Sequence, residues 1–465
     1  MNMKYKAYLC SFLLTFPILG KASVEADSLR QVQISRLQEQ VNWVNPEAIR
    51  AYLDDTKSSL GDKATGLYQK LEELETLLPR VNRHLSEDTT RQTIAEAEKL
   101  LALKREIILA NPLLDVDKIL IARYRLGNKA RKAMGPSLGT SVANYNSLFS
   151  SRRKGYDAEI SQLSNLRGDI QSKTIYKPKA DVPISDIQLH WDADRLLFSS
   201  LNENRQWQIY EINTDGTGLH QKVVADEPDL EFCDANYLPD GKVVATCNIG
   251  YNGVPCVHGD DVVANLVSYD PETKNIHRLT FDQDGNWAPI VIPNGRLMYT
   301  RWEYTDLTHY FSRIVMHMNP DGTENKALYG SGSYFPNSTF DMKPLSKYNS
   351  RFVGIISGHH GTARSGRLII FDPAKSRKEE KGMVQELPFS KRPIVPIIKD
   401  ELVEGVWPQF MKPYPLNEKY FLVACKPGPD ALWGIYLVDI FDNLTLITEQ
   451  EGEGLTAPIP LKKTE

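Results

Sequence analysis

The stretch Pro239-Asp240-Gly241-Lys242-Val243-Val244-Ala245 decides the fold. A tight Asp-Gly turn followed at once by strand formers is the strongest short hairpin signal a sequence carries. It recurs. Asp192-Ala193-Asp194-Arg195-Leu196-Leu197-Phe198 precedes it and Pro293-Asn294-Gly295-Arg296-Leu297-Met298-Tyr299 follows it, with weaker copies over 347–355 and 416–423. A second element trails each copy: Trp207-Gln208-Ile209-Tyr210-Glu211-Ile212-Asn213, then 314–322, then 368–373, then Trp433-Gly434-Ile435-Tyr436-Leu437-Val438-Asp439. Each repeat thus holds four short strands with two tight turns over roughly 50 residues, which is the unit of a β-propeller blade.

Five blades are legible, and Ala457-Pro458-Ile459-Pro460 reads as the opening of one more strand. The expectation is a mainly β chain, a C-terminal propeller of five or six blades closed by both ends of the repeat region, preceded by an α-helical N-terminal region. In residue terms this gives 1–22 as a signal peptide, 23–175 as a mostly helical region and 176–465 as the propeller.

Ahead of the repeats the period changes from two to 3.6. Leu29, Val32, Ile34, Leu37 and Val41 recur at helical spacing, as do Leu67, Leu71, Leu74, Leu77 and Leu78. Asn45-Pro46-Glu47 opens a helix, since proline fits the first turn. Ser86-Glu87-Asp88 reads as another start, 119–124 as a strand, and 140–172 as a polar helical stretch.

At the extreme N-terminus, Lys4 and Lys6 precede an apolar run from Ala7 to Leu19, and Gly20-Lys21-Ala22 supplies small residues for cleavage near Ala22. This is the grammar of a secretory signal, too short for a membrane span, and it implies an exported, periplasmic protein with no transmembrane segment in the mature chain. A net charge of −4 with 25% charged residues gives no reason to expect nucleic acid as a partner. Of five cysteines, Cys233, Cys247, Cys256 and Cys425 lie beyond the leader. No Cys-x-x-Cys pair exists, so neither c-type haem attachment nor a zinc ribbon is expected. Cys233 and Cys256 both fall in upper loops of one blade, where a disulfide is an expectation alongside buried thiols.

Blade topology sorts the candidate residues. Strands alternate in direction, so the loops between second and third strands and between consecutive blades share one face, the upper one. They carry Asp234, Asp282, Asp284, Trp287, Arg301, Trp302, Glu303, Tyr304, His258, His359, His360 and Trp407. His258, His359, His360, Glu303 and Arg301 are the acid–base candidates. Asp282 and Asp284 with His258, His359 and His360 are candidates for a divalent metal. Trp287, Trp302, Tyr304, Trp407 and Asp234 are candidates for ligand contact. The blander readings are an Asx-rich turn for 282–286 and an ion pair for Arg301 and Glu303. No metalloprotease, serine-hydrolase, P-loop or dinucleotide motif is present.

The blade grammar resembles the periplasmic propeller of the Tol system. Over about residues 100–465 the chain also resembles hydrazine synthase alpha-subunit-like proteins. The stretches that carry this are Asn111-Pro112-Leu113-Leu114-Asp115, Leu238-Pro239-Asp240-Gly241, Thr300-Arg301-Trp302-Glu303-Tyr304, Gly358-His359-His360-Gly361 and Gly434-Ile435-Tyr436-Leu437-Val438-Asp439. The resemblance implies export and a propeller. It does not carry haem chemistry across, because Cys-x-x-Cys-His is missing. The first expectation is a non-catalytic exported propeller binding a partner protein or small ligand on its upper face. The alternatives are a hydrolase or lyase using upper-face histidines and acids, with or without a metal, and a haem-free accessory subunit of a redox complex.

Overall fold

A computed structural model describes residues 31–87, 90–141, 148–254, 258–259, 261–302, 313–348, 350–359 and 364–464. The leader, Cys256, Glu303, Tyr304 and His360 lie outside the described residues.

The described strands form six four-stranded antiparallel blades. Blades two to six run in chain order over 184–221, 232–278, 286–329, 338–387 and 409–448, and a single parallel pairing, Arg313 with Ser338, joins blades four and five. Blade one draws on both parts of the chain. Its three outer strands are Lys118–Arg125, Ala158–Ser164 and Gln171–Tyr176, and its inner strand is Glu453–Pro460, which pairs antiparallel with Lys118–Arg125. Each inner strand touches the inner strand of the next blade all the way round, so the ring is closed.

Two boundaries move relative to the sequence reading. The propeller begins near 118 rather than 176. The stretch 140–172, read as helical, instead holds strand Ala158–Ser164, the turn after it and the start of strand Gln171–Tyr176. The stretch ends in an outer hairpin, in which Gln171 to Thr174 are exposed while Ala158 to Leu163 are buried. The start expected near Ser86 is the end of a helix, and the next begins at Arg91 with Thr90 as its cap.

The helical region is a layer of α1 (31–41), α2 (Pro46–Leu60), α3 (Lys63–Glu87) and α4 (Arg91–Ile108). Asn45 caps α2 by accepting from the Glu47 and Ala48 amides, and Pro46 occupies the first turn as expected. The leucines at helical spacing form one core with blades one and six: Leu71, Leu74 and Ile107 pack with Ile119, Leu163, Leu422, Ile435 and Leu437. Tyr52 donates to the Ile108 carbonyl at 3.0 Å and meets Tyr420 edge-on at 5.9 Å. α4 also covers the outer edge of blade six. Arg105 donates to the carbonyls of Leu446 (2.7 Å) and Ile447 (2.6 Å), and Lys104 to that of Leu444 (2.7 Å). Unpaired carbonyls of an edge strand are satisfied by side chains instead of a fifth strand. Burial pushes the Lys104 ammonium down to about 7, against the opposing charge of Asp439.

Because the helices share a core with two blades, they unfold with the ring. Leu71→Ala, at a site with no solvent exposure, is expected to cost about 2–5 kcal/mol. The urea transitions of far-UV circular dichroism and tryptophan fluorescence should stay coincident; separated transitions would show that the layer is an independent unit.

Candidate functional site in the central channel

Each inner strand is interrupted at the same point. The pairing register slips between Ser185 and Gln188, Cys233 and Asn236, Trp287 and Ile290, Phe340 and Lys343, Met411 and Tyr414, and, in blade one, opposite Leu120 and Ala122. At each slip one residue adopts a left-handed backbone: Asp186, Asp234, Ala288, Asp341, Lys412 and Ala457, with φ of 52°, 54°, 52°, 51°, 50° and 52°. A bulge of this kind bends the strand and re-aims a side chain. Six of them around one axis make a ring of three carboxylates, one ammonium and two methyl groups.

Aspartate tolerates the left-handed region better than most residues, so the backbone accounts for part of the choice. Asparagine or glycine would meet the same need without burying charge. The charges, moreover, are matched. Lys412 Nζ lies 2.8 Å from Asp341 Oδ1 and 3.1 Å from Asp186 Oδ1, and the Lys412 amide donates to Asp341 Oδ2 at 3.0 Å. Asp234 Oδ2 accepts from the Ala288 amide (3.3 Å) and the Thr246 hydroxyl (3.4 Å).

The carboxyl of Asp234 also faces Asp186, whose buried Oδ2 meets no N–H or hydroxyl donor among the described residues. Two carboxylates in that position share a proton. Burial and the charge of Asp186 push Asp234 up to about 8. Burial is the largest influence on Asp186 and opposes its ionisation, but Lys412, the hydrogen bond from Asp234 and the Arg364 charge together outweigh it and hold that carboxyl below its ordinary value. Lys412 is raised, since Asp341, Asp186 and Asp234 more than offset its burial.

Below the ring lies a cavity of about 210 Å³. It is lined by the ring residues and by the downstream halves of the inner strands, among them Gln188, Asn236, Lys343 and Tyr414, and reaches Trp191 and Thr464 at the lower face. Lys343 donates to Gln188 Oε1 at 3.3 Å. Burial, and then the charge of Lys412, lower its ammonium to about 8.

Above the ring the interior is packed. Trp287 and Trp302 are 1% and 0% exposed and stack at 6.5 Å in a cluster with Leu148, Phe149 and Phe340. The Arg364 guanidinium lies 5.4 Å from the Trp287 ring and 5.0 Å from that of Phe340, and Arg313 lies 4.4 Å from Trp302. The two tryptophans read as ligand platforms at the rim therefore face arginines of the chain itself, because their strands carry them inward. The cavity that gathers charge extends toward the lower face, away from the loops singled out in the sequence.

His359 is buried beside Trp302, with ring centres 6.4 Å apart. Arg301 pairs with Asp282 at 3.1 Å, and Asn286 donates to Asp282 at 3.1 Å. Asp284 is buried, His258 exposed, and Trp407 half-buried with the Lys426 ammonium 5.7 Å from its ring. Cys233 is buried next to Asp234; its suggested partner Cys256 lies outside the described residues. The group of potential metal ligands that converges among the described residues is His190, Asp192 and Asp194, in a lower-face turn. There Arg195 already pairs with Asp194 at 2.9 Å. Only Asp234 of the expected residues belongs to the channel ring.

Asp186, Asp341, Lys412 and Lys343 were missed, although a signal existed. Asp186, Asp234, Ala288, Asp341 and Lys412 each stand six residues before the same point of a turn: Asp192, Asp240, Asn294, Lys347 and Glu418. Aligning the repeats on their turns exposes a charge recurring inside otherwise apolar strands.

No family model and no curated protein matches the chain. Among solved structures it is similar to hydrazine synthase from Kuenenia stuttgartiensis, with a TM-score of 0.53 and 15% identity over 75% of this chain and 48% of that one. The chain thus spans about half the length of that protein. TolB from Acinetobacter baumannii (TM-score 0.40, 14% identity, 80% and 73% covered) and oligogalacturonate lyase from Vibrio parahaemolyticus (0.37, 11%, 69% and 91%) are also similar. At such identity the likeness to hydrazine synthase is one of fold. Among the described residues no helix is long and apolar enough to cross a membrane.

Two variants test the ring. Lys412→Met leaves Asp186 and Asp341 without their cation and is expected to cost about 3–5 kcal/mol. Asp234 has a raised pKa in the folded state, so its contribution is fully present below its unfolded value of about 3.9 and is lost as pH climbs to about 8. Asp234→Asn donates permanently to Asp186. Its stability relative to wild type should therefore improve by about 1 kcal/mol or more between pH 4 and pH 8. Urea midpoints across that range measure it, and a difference that stays flat would rule out the shared proton.

Proposed function

We propose that this chain is an exported, ligand-binding β-propeller whose site is the lower half of the central channel, and that it takes a small polar metabolite there. The observation that carries the reading is the ring: paired carboxylates, an ammonium and a proton-sharing acid at one level of a cavity. Such convergence of polar groups in a largely apolar recess is the usual form of a small-molecule site. At ring level the cavity offers the acceptor oxygens of Asp186 and Asp341, with the Gln188 and Asn236 amides below. The walls are Leu189, Ile290, Met342, Tyr414 and Ile459. That pattern suits a molecule with several hydroxyl or amine donors at one end and carbon–hydrogen faces along its side. Export rests on the leader sequence of 1–22.

A second reading, a hydrolase or lyase, is favoured by one observation. Asp234 holds a proton at neutral pH beside the ionised Asp186, which supplies a general acid and a general base in one recess.

Thermal unfolding against a panel of monosaccharides, polyols and amino acids tests the first reading. A ligand at a hundred times its Kd stabilises by about 2.7 kcal/mol. We expect at least one class to raise the midpoint of the wild type, and Asp341→Asn to weaken that binding about tenfold, a difference of about 1.4 kcal/mol. A shift unchanged in Asp341→Asn, or none with any class, removes the channel as the site.

A further inference from the structure

Two lysines share the channel cavity and are treated differently by the fold. Lys412 takes both available carboxylates, Asp341 and Asp186. Lys343 lies on the same inner strand as Asp341 and lines the same cavity, but has no ion pair among the described residues. Its partner is a neutral carboxamide oxygen, Gln188 Oε1 at 3.3 Å. An amine near a second cation, between apolar walls and with its nearest carboxylates paired to that other cation, is the setting in which lysine becomes a nucleophile. Salt bridges that would keep it protonated are committed elsewhere.

We infer that Lys343 is a nucleophilic amine that condenses with the carbonyl of a small hydroxyaldehyde or hydroxyketone held in the channel. This rests on the channel being the ligand site and narrows the ligand to carbonyl compounds. The neutral Lys343 Nζ adds to the carbonyl carbon and the C=O π bond breaks. The oxygen takes a proton from the ring, where Asp234 carries one, and the nitrogen gives up a proton, giving a carbinolamine. The carboxylate left on the ring takes up the nitrogen's proton and passes it to that hydroxyl, which departs as water and leaves the C=N bond of a protonated imine. One water is released per imine formed, and nothing is oxidised or reduced. The hydroxyl groups of the same ligand would occupy Asp341 and Asp186.

Glyceraldehyde with sodium cyanoborohydride traps such an imine as a stable secondary amine. In a short pulse on the full-length wild type, peptide mapping by mass spectrometry should find Lys343 modified at least tenfold faster than solvent-exposed lysines such as Lys391 and Lys463. Modification of Lys343 at or below the surface rate would overturn the proposal. The thermal shift given by glycerol, which lacks a carbonyl, is measured in parallel on wild type and Lys343→Gln. A glycerol shift kept in both, with Lys343 unlabelled in the wild type, removes the amine chemistry and leaves the channel as a binding site. No glycerol shift and no preferential labelling removes both.

Discussion

Closure of the ring depends on one pairing, that of Glu453–Pro460 with Lys118–Arg125. The inner strand of the first blade is supplied from the far end of the repeat region. Blade one, and with it the contacts of blades two and six across that seam, therefore cannot be completed until the chain has been read through to residue 460. Once closed, each inner strand is pressed between two others. A straight strand would send alternate side chains toward the crowded axis, and the bulge in each relieves it. The channel, its charge and its volume all follow from six strands converging at one radius.

Burying three carboxylates and an ammonium in such a place is costly unless geometry is good. The fold meets that demand locally. Lys412 bridges two acids, Asp234 keeps a proton, and amides from the bulges themselves complete the remaining acceptors. A purely structural core would reach comparable stability with aliphatic side chains, as blades four and five do around Met298, Ile356 and Phe371. Polar groups retained at one level of one cavity therefore argue for a ligand rather than for stability.

Much of the fold was legible in the sequence. The Asp-Gly turns marked blades two, three and four, and Ala457 to Pro460 announced the closing strand. Asn45-Pro46 fixed the start of α2 because capping is a local matter. Blade one was legible only in its strand at 119–124 and in the closing strand. Its strands at 158–164 and 171–176 lack the turn signature, and the insertion at 126–157 separates them from their partner at 118–125. Of the site, Asp234 was named and the rest was not. Loops drew attention because they are rich in histidine, tryptophan and acid, whereas a lone aspartate inside an apolar strand reads as an irregularity. Only the shared offset from the turns, and then the three-dimensional convergence, makes four such irregularities one feature. The tryptophans at 287 and 302 erred in the other direction. Their positions near loop ends suggested exposure, while the strand pleat turned both inward onto Arg364 and Arg313.

The six positions of the ring are equivalent in backbone but not in side chain: three Asp, one Lys and two Ala. A channel with true sixfold symmetry would offer a bound molecule six indistinguishable orientations about its axis. Here the ammonium and the two methyl positions leave one. Forgoing the other five orientations costs about 1 kcal/mol, RT ln 6. On the proposed reading, a molecule in the cavity would in return always present the same edge to Asp234, with the ring acting as a compass.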